Sequence, residues 1–230
     1  MPNNRSAAEI SECIRCGTCC KKGGPSLHHE DTVLIEKGLI LSKYLFTIRE
    51  GEMSYDNVTG QLIPASSDII KIKGRKGSLT CVFFNEPESA CTIYDKRPLE
   101  CRILECWDTR EIERVYAKTR LTRKHLVSTI AGLWDLIDDH QARCSYEKIN
   151  RLLKMLGGDN KDDALKEILE MIQYDTQIRE MTVQKGGLDP DIVDFLFGRP
   201  IKETIGMYGF KLKKQGDAYR LITIPTGQNL

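Results

Sequence analysis

No apolar stretch in the chain approaches the ~20 residues needed to cross a bilayer, so no membrane-spanning helix is expected. The opening residues, MPNNRSAAEISEC, lack the apolar run of a secretory signal, and a cytoplasmic location without membrane contact is the expectation. Charge of one sign is missing too. Lys and Arg total 34 against 33 Asp and Glu, a net charge of +1, so no basic field covers the molecule and nucleic acid is not an expected partner. No nucleotide-binding loop of Walker type, no dinucleotide glycine fingerprint and no nucleophile elbow occurs. Enzymatic activity therefore has no support in the sequence. Neither an internal repeat nor a low-complexity tract is present. A hydrophobic fraction of 40% beside 29% charged residues excludes disorder throughout, and 230 residues can bury a core without disulfides.

What the chain has in excess is cysteine, concentrated in one half. Of nine cysteines, eight lie between Cys13 and Cys106 and only Cys144 stands apart. In a reducing compartment such grouping is read as metal ligands or redox thiols before structural disulfides. The segment Cys13-Ile-Arg-Cys16-Gly-Thr-Cys19-Cys20 holds two overlapping Cys-x-x-Cys pairs, and Gly17 and Gly23 permit the positive backbone angles of such turns. A second set follows as Cys81, Cys91, Cys101 and Cys106. Eight thiols are twice what one tetrahedral ion requires. On an extended backbone neighbouring side chains diverge, which assigns Cys19 and Cys20 to different centres: two nearby ions, or one polynuclear cluster.

Zinc is the first choice of metal, because all-thiolate four-coordinate sites are its usual structural form. Iron, or an iron–sulfur cluster, is the alternative. Cys13, Cys16 and Cys19 match the first three ligands of the bacterial ferredoxin run, but the expected fourth Cys-Pro is missing. A thioredoxin-type dithiol is disfavoured, since the strand and helix order expected around it is absent.

Taken together, Cys13-x2-Cys16-Gly17-x-Cys19-Cys20, Cys81-Val-Phe-Phe, Cys91-Thr-Ile-Tyr94-x2-Arg97-Pro98-x2-Cys101-Arg102 and the closing Cys106 resemble the cysteine-cluster proteins of the CxxCxxCC, or YkgJ-like, family. The resemblance covers about residues 10 to 108. It implies chelation of zinc or iron and implies no reaction.

The rest of the pattern predicts an α+β protein: a β-rich cysteine-cluster domain over 1–108, then a helical region with a short C-terminal hairpin over 109–230. A helix is expected from about Glu30 to Lys37, stopped by Gly38. Strands at 45–48 and 69–72, with turn residues Asp56 to Gly60 between them, read as a hairpin, as do Cys81–Phe84 and Cys91–Tyr94 around the turn 85–88. From Thr109 to about Gln141 one helical face is expected at Leu126, Ile130, Leu133, Trp134 and Ile137. Helices follow at about 145–156 and 162–183, then Asp189-Pro190 as a cap and first turn, and a terminal hairpin around Gly216-Asp217.

Beside the cysteines, Arg97 and Arg102 either donate to ligand sulfurs as a second layer or form ion pairs. Tyr94 and Trp107 read as core covering the site. His28-His29-Glu30 reads as a cap or surface feature rather than a ligand set, and His125 and His140 as surface residues. Cys144 reads as a small buried hydrophobe. Arg110, Arg114, Lys118, Arg120, Arg123 and Lys124 exceed Glu111 and Glu113 by four, which a solvated helix face explains; a phosphate-binding face is the sharper alternative. The functional expectation is a metal-binding structural or adaptor module whose helical half contacts a protein partner. The alternative is an iron–sulfur protein serving electron transfer or a redox enzyme.

Overall fold

The structure is a computed structural model, and it describes residues 13–215 and 218–224. In chain order its elements are α1 (Thr32–Glu36), β1 (Leu45–Ile48), β2 (Met53–Asp56), β3 (Gln61–Pro64), β4 (Ile69–Ile72), β5 (Phe84–Asn85) and β6 (Ala90–Cys91). The helices α2 (Leu99–Ile103), α3 (Arg110–Val115), α4 (Arg123–Val127), α5 (Leu133–Arg143), α6 (Tyr146–Met155), α7 (Lys161–Gln184), α8 (Val193–Phe197) and α9 (Ile201–Thr204) follow, and β7 (Phe210–Gln215) pairs with β8 (Ala218–Thr223). The fold is α+β with a helical middle and a C-terminal hairpin. The turn residues Gly216 and Asp217 lie outside the described residues.

The chain forms two compact units that are not consecutive along it. One comprises Met1–Leu39, described from Cys13 onward, with Ile72–Arg120; the other comprises Ile40–Lys71 with Leu121–Leu230. This differs from the division into 1–108 and 109–230. The segment 40–71 belongs with the later helices because its side chains are spent there: Thr47 Oγ1 donates to the Phe195 carbonyl at 2.7 Å, and Arg49 Nη1 to the Cys144 carbonyl at 2.9 Å.

In the second unit, β1 and β4 are hydrogen-bonded neighbours, but the turn between them closes a separate hairpin. Asp56 Oδ1 accepts from the amides of Val58 and Thr59 at 2.9 and 2.8 Å, which folds the chain back as β2 and β3, Asp56 opposite Gln61. One expected hairpin is therefore two nested pairs. The single helical stretch expected after Thr109 is instead three helices, α3, α4 and α5. Thr119 at φ 49° and Gly132 at φ 75° interrupt it, and neither backbone conformation continues a right-handed helix. Those breaks also reset the buried face. Ile137 is fully buried as expected, while Ile130 is 49% exposed and Leu121 and Val127 take core positions.

The later expectations hold. Ser145 Oγ accepts from the Lys148 amide at 3.3 Å and caps α6, and Asp189 Oδ1 accepts from the Asp191 amide at 2.9 Å. Tyr146, Ile149 and Leu152 of α6 meet Ala164, Ile168, Met171 and Ile172 of α7, and Phe210, Leu212 and Leu221 of the hairpin pack on that core. Full burial of each such aliphatic side chain contributes about 1.5–3 kcal/mol.

This unit also buries charge. Asp175 Oδ1 accepts from His140 Nε2 at 2.8 Å and Arg179 Nε at 3.0 Å, and its Oδ2 from the Ile201 amide at 2.9 Å. Arg123 grips Asp68 with two nitrogens at 2.7 and 3.0 Å and reaches the Leu196 carbonyl at 2.8 Å. His140, expected at the surface, is fully buried, because it shares the inward stripe of α5 with Ile137, continued by the C-cap Cys144.

Candidate metal centre

The cysteines lie on short, tightly tied segments of the first unit. In the first segment Gly17 takes φ 74° and lies against the Phe84 ring, where a Cβ would stand 2.3 Å from Cζ. Only glycine fits that contact and that angle together. The Lys21 amide donates to the Gly17 carbonyl at 3.0 Å and closes the turn that carries Cys19 and Cys20. The Cys81 amide then donates to the Cys20 carbonyl at 2.8 Å, fastening the second cysteine segment to the first. Cys91 follows opposite Phe84 in the β5–β6 pair. That pair is two residues per strand, shorter than expected, and Cys81 stands outside it in an isolated bridge to Gly74.

Cys101 rides on α2, and a buried polar clamp fixes that helix. Asp31 Oδ1 accepts from the Leu99 amide at 2.8 Å at the start of α2, and its Oδ2 accepts from the His28 amide at 2.9 Å. Glu100 Oε2 accepts from the Ser26 amide at 2.7 Å, and its Oε1 lies 3.3 Å from His28 Nε2. His28 Nδ1 donates to the Lys118 carbonyl at 2.7 Å. Burial pushes the His28 pKa down, yet the bond to Glu100 and the Lys118 carbonyl outweigh it and the net shift is upward, toward imidazolium. Burial likewise raises Asp31, against the amides that favour its charge. His28 is the N-cap of the turn His29–Asp31, in line with the expected cap role, but it is buried rather than at the surface, and Asp31 and Glu100 are not among the expected site residues. The visible signal was a carboxylate three residues after His28, at helix-start spacing. Asp31→Ala strands two buried amides, and we expect it to cost about 1–3 kcal/mol for each, with reduced metal retention. Thermal unfolding and metal content of the purified variant measure both.

The sulfurs gather around Cys19. Its Sγ lies 4.0 Å from Cys20 Sγ, close to the roughly 3.8 Å edge of a tetrahedron built on ~2.3 Å zinc–sulfur bonds. The premise that an extended backbone splays the adjacent cysteines apart does not hold. Cys19 has helical angles, φ −66° and ψ −38°, and Cys20 begins a 3₁₀ turn, so the extended backbone that would splay them is not there. The hydrogen bond from Cys20 brings the Cys19 thiol down to about 6, with help from the Arg97 charge and against burial. The same bond pushes Cys20 up, reinforced by burial and by the nearby charges of Cys19, Cys101 and Cys81. Burial raises Cys81, as do Cys91 and Cys19; burial raises Cys101, as do Cys81 and Cys91. Cys16 donates to Thr18 Oγ1 at 3.3 Å and feels Cys19. Six thiols thus share one electrostatic neighbourhood: Cys16, Cys19, Cys20, Cys81, Cys91 and Cys101. Cys13 and Cys106 are exposed.

Soft donors in this number suit a thiolate-bound metal, and the Cys19–Cys20 spacing suits two bonds to one ion. Among the described residues, however, no three Cys, His, Asp or Glu side chains are already arranged to hold an ion. The donors are collected, and convergence would be driven by metal–thiolate bonding.

Arg97 Nε donates to the Tyr94 carbonyl at 2.8 Å. Arg102 binds the Arg97 carbonyl at 3.2 Å and Glu30 at 3.4 Å, the ion-pair alternative for that residue. Tyr94 is half-buried and Trp107 is 37% exposed, so neither is a closed lid. The basic run is dispersed: Arg110 pairs with Asp108, Arg114 with Glu111, Arg120 donates to the Tyr116 carbonyl, and Arg123 is buried on Asp68. Cys144 is fully buried, its Sγ donating to the Met171 carbonyl at 3.7 Å, and burial lifts its thiol to about 12.

These features define a cysteine-cluster chelating domain. Residues 12–125 match the model of the CxxCxxCC family, described as "Putative zinc- or iron-chelating domain", and through that segment the chain belongs to the family. No curated protein and no solved structure matches the chain. Among the described residues no helix is long and apolar enough to cross a membrane.

Proposed function

We propose that this protein binds zinc as a structural or adaptor module, with Cys16, Cys19, Cys20, Cys81, Cys91 and Cys101 as the primary donors. Cys13 and Cys106 complete a second centre. The 4.0 Å separation of the Cys19 and Cys20 sulfurs, beside the Cys81 backbone tie, carries this reading. A site made of thiolates alone leaves no open position for activating water, which favours a structural role. The later helices then serve a protein partner rather than a substrate, in a cytoplasmic setting.

A second reading is an iron–sulfur protein, favoured by the gathering of more than four thiols in one place, since a cluster takes cysteine donors without histidine. Elemental analysis and an absorption spectrum of protein purified without oxygen separate the two. Two zinc per chain with no visible absorption supports the first. Iron with acid-labile sulfide and a brown colour supports the second, and no metal in either form removes both.

A further inference from the structure

Three residues outside the ligand set meet at one aromatic ring, and the charge of one of them, Arg97, is felt by Cys19. The Arg97 guanidinium lies 3.6 Å from the centroid of the Tyr94 ring, and the Arg15 guanidinium lies 4.8 Å from the same centroid. They come from two cysteine-bearing stretches, Arg15 from the first and Tyr94 and Arg97 from the second. Arg15 sits between Cys13 and Cys16, Tyr94 three residues after Cys91, and Arg97 four residues before Cys101. The group is braced: Arg97 Nε holds the Tyr94 carbonyl, Arg102 Nη1 holds the Arg97 carbonyl, and Arg15 takes a left-handed φ of 55° unusual for its side chain. Among the described residues neither Arg15 nor Arg97 is ion-paired with a carboxylate. Two guanidinium groups held on one ring repel each other, and the negative face of the ring offsets this only in part.

We infer that Arg15, Tyr94 and Arg97 form a cationic clasp that joins the two cysteine segments and compensates the negative charge of the metal–thiolate centre. The inference rests on the metal-binding reading above. Four thiolates on a divalent ion leave a net charge of minus two, for which two fixed guanidinium groups are the missing counterpart. Tyr94 is then the positioning residue that brings both cations to the site. Partners of this kind around a metal site typically change affinity by about 10- to 100-fold.

The test is zinc affinity of the full chain, measured by competition with a chromogenic chelator and repeated at raised salt. Metal-free circular dichroism of every variant monitors the fold. We expect Arg97→Gln and Tyr94→Leu each to weaken zinc binding at least about tenfold, with the metal-free spectrum unchanged. Arg97→Lys and Tyr94→Phe should stay near wild type, and the deficit of Arg97→Gln should shrink as salt screens the site. If wild type binds zinc and both Arg97→Gln and Tyr94→Leu bind it equally well, the clasp is overturned while metal binding stands. Arg97→Lys as weak as Arg97→Gln overturns the role of charge. A wild-type protein that takes up no zinc overturns the metal reading itself, and the clasp with it.

Discussion

Cys20→Ser and Cys101→Ser are each expected to lose bound metal and to turn the first unit protease-sensitive, while Cys144→Ser keeps its metal. Structural zinc sites draw on about 10–16 kcal/mol of apparent binding free energy, and in a module this rich in short turns that energy is folding energy. The ties near the cysteines that do not depend on metal include the Cys81 amide on the Cys20 carbonyl, the two-residue strand pair ending at Cys91, and the Asp31–His28–Glu100 clamp on α2. Uncoordinated thiols in place of a metal centre would repel wherever they ionise. A strong chelator should reproduce the serine phenotype in wild type. Cleavage should fall in the segments around Cys13–Cys20 and Cys81–Cys106, with the α6–α7 pair resistant. Cys144 is the control because its thiol lies in the α6–α7 core and is chemically quiet. Unchanged metal content and protection in both ligand variants would contradict the assignment.

Acid should weaken the second unit before it reaches ordinary carboxylate titration. Burial lowers the His140 pKa from 6.5 to about 4, more than the hydrogen bond to Asp175 restores. Between those values the unfolded chain takes up a proton that the fold refuses, so stability falls as pH drops from about 6.5 toward 4. Asp175 adds to the loss lower down. Burial pushes its carboxyl up, but the bond from His140 and the charge of Arg179 bring it to about 2, so its contribution is present above about 3.8 and is lost as pH falls toward 2. Asp175→Ala leaves Arg179 buried without that partner, orphans the Ile201 amide and frees His140. We expect a cost of about 3–5 kcal/mol. Hydrogen exchange on the α5 and α7 amides of the full chain, from pH 7 to 4, measures both effects. Protection that does not change over that range would rule out the neutral buried imidazole.

His140 shows why part of this was hard to read in advance. The residues 137 and 140 lie on the inward stripe of α5, which the C-cap Cys144 continues, but a histidine following Asp138 and Asp139 looks solvated until its partner is known, and Asp175 is supplied by another helix. The same holds for Asp31 and Glu100, whose roles exist only because α2 is brought against the 26–31 segment. The long helix expected after Thr109 failed for a local reason. Apolar spacing alone ignores breaks at positive φ, here at Gly132 and at Thr119, a residue type that gives no warning in sequence. The mutual orientation of Cys19 and Cys20 is set by a turn where adjacency alone suggests extended backbone.

By itself, the sequence determined the cysteine spacing, the membership that follows from it, the capped helix α6, the helix α7 and the terminal hairpin. Each rests on contacts between near neighbours: a capping hydroxyl, a glycine stop, alternation around a turn. Only the tertiary structure decided that 40–71 folds with the later helices, that Cys19 and Cys20 face one another beside Cys81, and that two arginines share the Tyr94 ring. Those arrangements join residues tens of positions apart, and the free energy that selects them comes from burial and hydrogen bonding across the unit, which local pattern does not encode.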